Sequence, residues 1–321
     1  MSNAREQSKT TLATDYQCRV CTTNIKPFMS FGKMPIANRF LKPSEFEAEY
    51  FYNLAPAFCT ICQTFQIVEQ PTPEQMFHDK YTFFTRTSRN MVTHFNQYAT
   101  WLTNTWLSED DPFVVEIGSN DGALLENFSK RGIRHLGIEP SGNTARIAIR
   151  HGVATTTKFF NTETAEAIAN DRGLADSIVA ANVICHIPDL LSVINGIDIL
   201  LKPNGTFVFE EPYLGDMLQK ASYDQLYDEH IYMFSLHGIS ELFRQYNFEL
   251  VDALHQETHG GSMRYVIARS GAYPINDSVY AWKKREHIMG INRPETYATF
   301  RSRCEKSREQ IVNLLNELKE Q

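Results

Sequence analysis

The chain reads as a doubly wound α/β protein, and three features predict it. From Phe113 onward, apolar runs with strand character alternate with helical patterns. The first run, FVVEIGSNDGALL over residues 113–125, passes from a strand through a glycine-framed turn into a helical pattern. The last two runs, FELVDALHQ and SMRYVIAR, follow each other as a closing antiparallel pair. Strand, glycine turn and helix in succession are how an open parallel sheet builds a ligand crevice at its carboxyl edge.

The elements follow in order. FVVEIG is the first strand, and ALLENFSKRG a helix that stops at Gly132. HLGIEP is the second strand, ending in Glu139, and NTARIAIRHG a helix with its own terminal glycine. VATTTKFF is a short third strand, TAEAIANDRG a helix and SIVAANV the fourth strand. DLLSVINGIDILLKPNG is a helix ending in a turn, TFVFEEPY the fifth strand, and HGISELFRQYNF the helix before the closing pair. Alternation of this kind implies a parallel sheet. A final hairpin after such units is the signature of the class I methyltransferase sheet, not of a plain dinucleotide fold.

Upstream lies a small module marked by cysteines. Of the six in the chain, Cys18 and Cys21 form one C-x-x-C pair and Cys59 and Cys62 a second, while Cys185 and Cys304 stand alone. In a cytosolic chain such pairs read as a zinc site rather than disulfides. Four thiolates suit the tetrahedral preference of zinc, and a closed site of that kind is structural. YNLAPAFCTICQTFQIVEQ reads as two strands around the second knuckle. Next comes a helix from about Asn90, with Met91, His94, Phe95, Tyr98, Leu102 and Trp106 at helical spacing as a core-packing stripe. The expected organisation is a disordered N-terminus over 1–14, a zinc-binding module over 15–80, a doubly wound ligand-binding domain over 81–270 and helices over 271–321.

Composition narrows the partners. With 321 residues, 42% hydrophobic and 21% charged, the chain is an ordinary globular protein. A formal net charge of −7 disfavours nucleic acid, which calls for clustered Lys and Arg. No run is long enough for a membrane span, and the polar N-terminus lacks an apolar signal region, so a cytoplasmic protein is expected.

The glycine turn suggests a cofactor. Its spacing is acidic-x-Gly-x-x-x-Gly, from Glu116 through Gly118 to Gly122, not the G-x-G-x-x-G of a pyrophosphate binder. An added carboxylate and a missing glycine favour S-adenosylmethionine, a ligand without phosphates that carries an amino acid end, a ribose and a sulfonium. Glu139, at the tip of the second strand and followed by Pro140, is placed to accept both ribose hydroxyls. Gly118 and Gly122 let the backbone approach the ligand. Asp121 or Asn120 is expected to hold the amino acid end, and Glu116 to orient the loop or the ligand amine. Asn182 and Val183 end the fourth strand, where the crevice opens toward the substrate. The usual class I turn has glycine where this chain has Asn120.

A second motif carries chemistry. Tyr227-Asp228-Glu229-His230 precedes the aromatic-apolar run IYMFS and follows the fifth strand, over the carboxyl edge of the sheet. A histidine with carboxylate neighbours can serve as a general base near neutral pH. His186, in NVICHIP, leaves the fourth strand at the same edge.

The paired C-x-x-C motifs, EIGSNDG, NVICHIPD, YDEHIYMFS and HGGSMR together resemble the S-adenosylmethionine-dependent nucleotide-sugar C-methyltransferases. The resemblance runs from Cys18 to the last helix. It implies C-methylation of a nucleotide-linked keto-deoxysugar through an enolate, with His230 as general base. Tyr227 and Glu229 would position the base or the sugar. His186 and Tyr81 would line the sugar pocket and donate hydrogen bonds to the oxygen that gains charge, with Tyr81 on a segment lying over the site as a lid. Gly260, Gly261, Ser262 and Arg264 would shape the pocket beside His230, or Arg264 would form a structural ion pair. The family usually continues into a C-terminal Rossmann-like domain, so residues 271–321 are expected to form a helical linker toward a domain this chain lacks. The alternatives are a small-molecule O- or N-methyltransferase of the same fold, or a chain that binds S-adenosylmethionine without turnover.

Overall fold

The computed structural model describes residues 16–320, and the expected disorder over 1–14 lies outside them. Seven strands form the central sheet: β1 Phe113–Ile117, β2 Arg134–Ile138, β3 Thr155–Thr156, β4 Ala175–Ala181, β5 Leu201–Pro212, β6 Phe248–Gln256 and β7 Ser262–Arg269. Their order is β3-β2-β1-β4-β5-β7-β6. β3, β2, β1, β4 and β5 run parallel to one another, while β7 is antiparallel to both β5 and β6. This is the class I methyltransferase topology, with the strand order reversing between β1 and β4, where such sheets open a crevice.

Alternation along the strands divides the core. Phe113, Val115 and Ile117 of β1, Ile178 of β4 and Phe207 and Phe209 of β5 join one apolar cluster. The intervening Val114, Val179 and Val208 join another, as the period of two requires. The helix Arg89–Trp106 packs Phe95, Tyr98 and Leu102 into this second cluster. His94 departs from the expected core stripe, because its ring reaches Glu210 of β5, at 2.6 Å.

Two other expectations are corrected. The helix expected over ALLENFSKRG spans only Leu125–Ser129, because the turn around Gly122 continues to Leu124 before the helix begins. The third strand holds two residues, since only Thr155 and Thr156 pair with β2 at the sheet edge.

The cysteine module is joined to the sheet domain by its backbone. Pro56–Cys59 pairs with Thr64–Ile67, which pairs in turn with Tyr232–Met233, immediately after the Tyr-Asp-Glu-His motif. Each C-x-x-C pair is followed by a left-handed residue, Thr22 at φ 58° and Gln63 at φ 56°, which turns the chain back. The C-terminal helices span Asp277–Met289 and Pro294–Glu320. The second buries Tyr297 and Phe300 against Phe65 of the module and Met217 of the sheet domain. No described helix is long and apolar enough to cross a membrane.

Candidate active site

A cavity of about 320 Å³ opens at the carboxyl edge of β1, β2 and β4, a size ordinary for a small-molecule site. Of the residues singled out in the sequence, Glu116, Gly118, Asn120, Glu139, Pro140, Asn182, Val183, His186, Tyr81, Tyr227, Glu229 and His230 line it. Asp121 and Gly122 stand outside its lining. Asp121 instead accepts the backbone N–H of Arg86 at 2.8 Å, so it anchors the segment that leads into helix Arg89–Trp106. Of the HGGSMR motif only His259, at its head, lines the cavity.

The glycine turn is built for close approach. Gly118 has φ 67°, and a Cβ there would lie 2.4 Å from Val183 Cγ2 across the crevice. Asn120 has φ 48°, which asparagine tolerates better than most residues. Its Oδ1 accepts the N–H of Thr85 at 3.2 Å, and its Nδ2 donates to Phe83 O at 3.1 Å. The side chain that replaces the usual glycine therefore pins the segment Phe83–Thr85 against the cavity. Glu139 accepts one backbone N–H on each oxygen, from Asn120 and from Ser141, both at 2.8 Å. Each oxygen keeps a second lone pair, so the carboxylate can still take two vicinal hydroxyls.

The lining fits a polar ligand. Glu116 Oε2, Ser119 Oγ, Asn182 Oδ1 and His186 Nε2 are buried without a partner among the described residues, and all four residues face this cavity. Buried polar atoms are normally satisfied, so these four mark where a ligand's own donors and acceptors belong. Burial raises the carboxyl groups of Glu116 and Glu139 above their usual range.

Tyr227, Glu229 and His230 of the Tyr-Asp-Glu-His motif line the same cavity. His230 Nδ1 lies 2.8 Å from Gln225 O, a carbonyl that can only accept, so the proton sits on Nδ1 and Nε2 carries the lone pair. Nε2 is 3.1 Å from Tyr227 Oη, the donor to that lone pair. His186 stacks between Phe77 and His230, with ring centroids 5.8 and 5.4 Å apart. Burial pushes His230 down to about 4 and His186 well below its usual value, so both rings are neutral at pH 7. Glu229 is held on both oxygens, by Asn38 Nδ2 at 2.6 Å and Tyr81 Oη at 3.1 Å. Tyr81 is buried and forms part of the pocket wall.

Several participants escaped the sequence reading. Asn38 comes from the cysteine module, 191 residues from its partner Glu229. Glu211 gathers the backbone N–H groups of Val183, Ile184 and Cys185 on one oxygen, at 3.0, 2.6 and 3.3 Å, and so shapes the turn that presents His186. Burial holds its carboxyl at about 7 in spite of them. His259, left-handed at φ 51°, faces the cavity from the turn between β6 and β7. A non-glycine residue in that region was a possible signal only once the backbone was known.

Arg264 is an ion-pair residue rather than a pocket wall. Its Nη2 and Nε reach Glu210 Oε2 at 2.9 and 3.1 Å, and its guanidinium lies 3.8 Å over the ring of Tyr98. Glu210 has no exposed surface and takes His94 on its other oxygen. Removing one partner of such a buried pair strands the other charge. Arg264→Met is therefore expected to lower stability by about 3–5 kcal/mol, with Arg264→Met/Glu210→Gln recovering most of it. Chemical denaturation measures both, and a single-variant loss under about 1 kcal/mol would show Glu210 to be solvated.

The four module cysteines form a metal-binding group. Their sulfurs lie within 4.8 Å of one another, with Cys18–Cys62 and Cys21–Cys59 each at 3.5 Å. A tetrahedral site with Zn–S bonds of about 2.3 Å places sulfurs about 3.8 Å apart, so the group fits zinc. Cys185, His186 and His230 also bring ligand-type atoms within 4.8 Å. Their imidazoles, however, stack at 19°, so the in-plane lone pairs run side by side instead of meeting at one point.

Fold and site together define a class I methyltransferase, whose cofactor is S-adenosylmethionine, with a structural zinc module. The comparisons agree. A family model described as a methyltransferase domain matches residues 92–253, a zinc binding domain model matches 18–77, and a model of the C-methyltransferase C-terminal domain matches 257–321. The C-methyltransferase NovU of Streptomyces niveus is 31% identical over 93% of this chain and 72% of its own length. The chain belongs to the C-methyltransferase family. A ubiquinone biosynthesis O-methyltransferase of Vibrio parahaemolyticus is 29% identical over 30% of this chain and 42% of its own. The solved structure of magnesium protoporphyrin IX methyltransferase from Synechocystis PCC 6803 with bound SAH aligns with a TM-score of 0.44. It is 14% identical over 56% of this chain and 83% of its own, and it adds nothing to the topology above.

Proposed function

We propose that the protein methylates a carbon next to the ketone of a nucleotide-linked deoxysugar, with His230 as the proton acceptor. The observation that carries this reading is a neutral imidazole of fixed tautomer in the same cavity as the glycine turn and Glu139. A base so placed has no purpose in holding the cofactor. Carbon methylation, unlike methylation of an amine, needs a proton removed from an unreactive C–H. S-adenosylmethionine supplies an electrophilic methyl group on a sulfonium.

The residues have separable tasks. Glu139 would take the ribose, and Glu116, Asn120 or Asn182 the amino acid end, with Gly118 and Val183 setting the width of the crevice. His230 Nε2 accepts the proton, and its Nδ1–H bond to Gln225 O stabilises the imidazolium that forms. The charge left on the ketone oxygen needs donors. His186 Nε2, unpartnered at the wall, is the group available, since the Tyr81 hydroxyl is given to Glu229 and the Tyr227 hydroxyl to His230. Glu229 fixes Tyr81 through its Oε2, a positioning task.

Incubation of the protein with thymidine-diphosphate-linked 4-keto-6-deoxyglucose and related keto-sugars in D₂O, with S-adenosylhomocysteine in place of the methyl donor, should exchange the proton next to the ketone. Methyl transfer to a hydroxyl or amine with no such exchange would overturn the C-methylation chemistry.

The buried imidazole also predicts a pH dependence. Free histidine titrates near 6.5, whereas His230 is held at about 4. Between those values the unfolded chain binds a proton that the folded chain refuses, so stability falls as pH drops from 6.5 toward 4. The effect of this one group is on the order of 3 kcal/mol. Comparison with His230→Gln by urea unfolding at each pH isolates it from Glu116 and Glu139, whose raised values act with the opposite sign. Equal slopes for the two proteins would mean that His230 is solvated.

A further inference from the structure

We propose that Gln66 is a positioning residue that couples zinc in the cysteine module to the catalytic segment Tyr227–Tyr232. Gln66 is 1% exposed, an unusual place for a primary amide, and both ends of its side chain are engaged. Its Nε2 donates to Cys18 Sγ at 3.0 Å, and its Oε1 accepts the N–H of Arg19, inside the first knuckle, at 2.9 Å. Its backbone meanwhile sits opposite Tyr232 in the antiparallel pair. One residue on, Ile67 N donates to Ile231 O at 2.8 Å, and Ile231 N donates to Cys185 O at 2.9 Å. The residue after His230 is thus clamped between the strand that carries Gln66 and the turn that carries His186.

The module grips the same segment elsewhere. Ala37 N donates to Asp228 Oδ1 at 3.1 Å, Asn38 Nδ2 to Glu229 Oε1 at 2.6 Å, and Gln70 Nε2 to Asp228 O at 3.4 Å. These contacts add to the pairing of the strand Thr64–Ile67 with Tyr232–Met233, and the Gln66 amide ties that strand to a zinc ligand. A metal-bound thiolate is a stronger acceptor than a thiol. Zinc occupancy therefore strengthens the Gln66 bond, and zinc loss releases it next to the catalytic strand. A structural metal alone would need no such link, because four cysteines suffice to fold two knuckles. The coupling uses the role of His230 given above, but the measurements that test it require neither substrate nor turnover.

The test compares the zinc-loaded full chain with zinc-loaded Gln66→Met, which keeps the length of the side chain and removes the donor. Zinc affinity should fall about 10–100-fold, as for loss of an outer hydrogen bond to a metal ligand. Amide exchange over residues 231–233 should accelerate about tenfold or more, while β1, residues 113–117, exchanges at the wild-type rate. The imidazole Nδ1–H signal of His230, held by Gln225 O, should broaden or be lost in nitrogen-edited NMR of histidine-labelled protein. Unchanged exchange over 231–233 with an unchanged imidazole signal overturns the proposal, as does equal acceleration in β1, which would indicate general destabilisation. If the variant fails to fold, stepwise chelation of zinc from the wild-type protein decides the matter by the same two signals. Their response before β1 exchange changes supports the coupling, and their indifference sinks it.

Discussion

His230→Gln is expected to slow methyl transfer by about 10²–10⁴-fold while the affinity for S-adenosylhomocysteine stays near wild type. The expectation follows from geometry. The imidazole lines the cavity and bonds Gln225 and Tyr227 rather than the glycine turn. Glutamine can keep a hydrogen bond to the Gln225 carbonyl, yet it offers no nitrogen lone pair to take a proton. Proton exchange next to the ketone should disappear with the transfer. Single-turnover kinetics and calorimetry separate the two quantities. A variant that loses cofactor affinity together with activity would assign His230 a folding role. One that keeps full activity would transfer the base function to another group.

Cys59→Ser should have the largest effect on stability. Structural zinc contributes apparent binding energies of about 10–16 kcal/mol in small zinc domains, comparable with the whole stability of a typical domain at about 5–15 kcal/mol. The two knuckles have little else to hold them, although the strand Thr64–Ile67 packs on the sheet domain. Their own apolar cluster consists of Cys18, Ile25, Ala57, Cys59 and Cys62, with a few partly buried neighbours. Substitution of one ligand should lower bound zinc below one equivalent and open the module to proteolysis between Tyr16 and Gln70. The sheet domain has separate cores on both faces and should remain folded. Metal analysis, limited proteolysis and thermal unfolding provide the readout. A module that resists protease equally well with and without zinc would remove the metal from the account of the fold.

Much of this architecture was legible in the sequence because it is written in local patterns. Strand and helix periods, terminal glycines and the turn at Gly118 each occupy a few consecutive residues. The closing pair, Phe248–Gln256 and Ser262–Arg269, has the bounds its alternation and polar linker suggested. Chemistry-bearing motifs such as Tyr-Asp-Glu-His and the paired C-x-x-C are likewise short. Where local patterns failed, a tertiary demand had overridden them. Asp121 has the right chemistry for an amino acid end but faces Arg86. His94 has the right spacing for a core stripe but meets the buried charge of Glu210.

The sequence by itself determined the sheet, the metal-ligating cysteines and the residue types available for acid–base work, since period, spacing and side-chain chemistry are properties of neighbours in the chain. Only the tertiary structure decided which of those side chains share a cavity and which residues support them. Asn38 reaches Glu229, Gln66 joins Cys18 to the strand beside His230, and Glu211 collects the N–H groups of the His186 turn. These bonds span 26 to 191 residues. Contacts at such separation leave no periodic trace, because they are set by how the module and the sheet pack against one another.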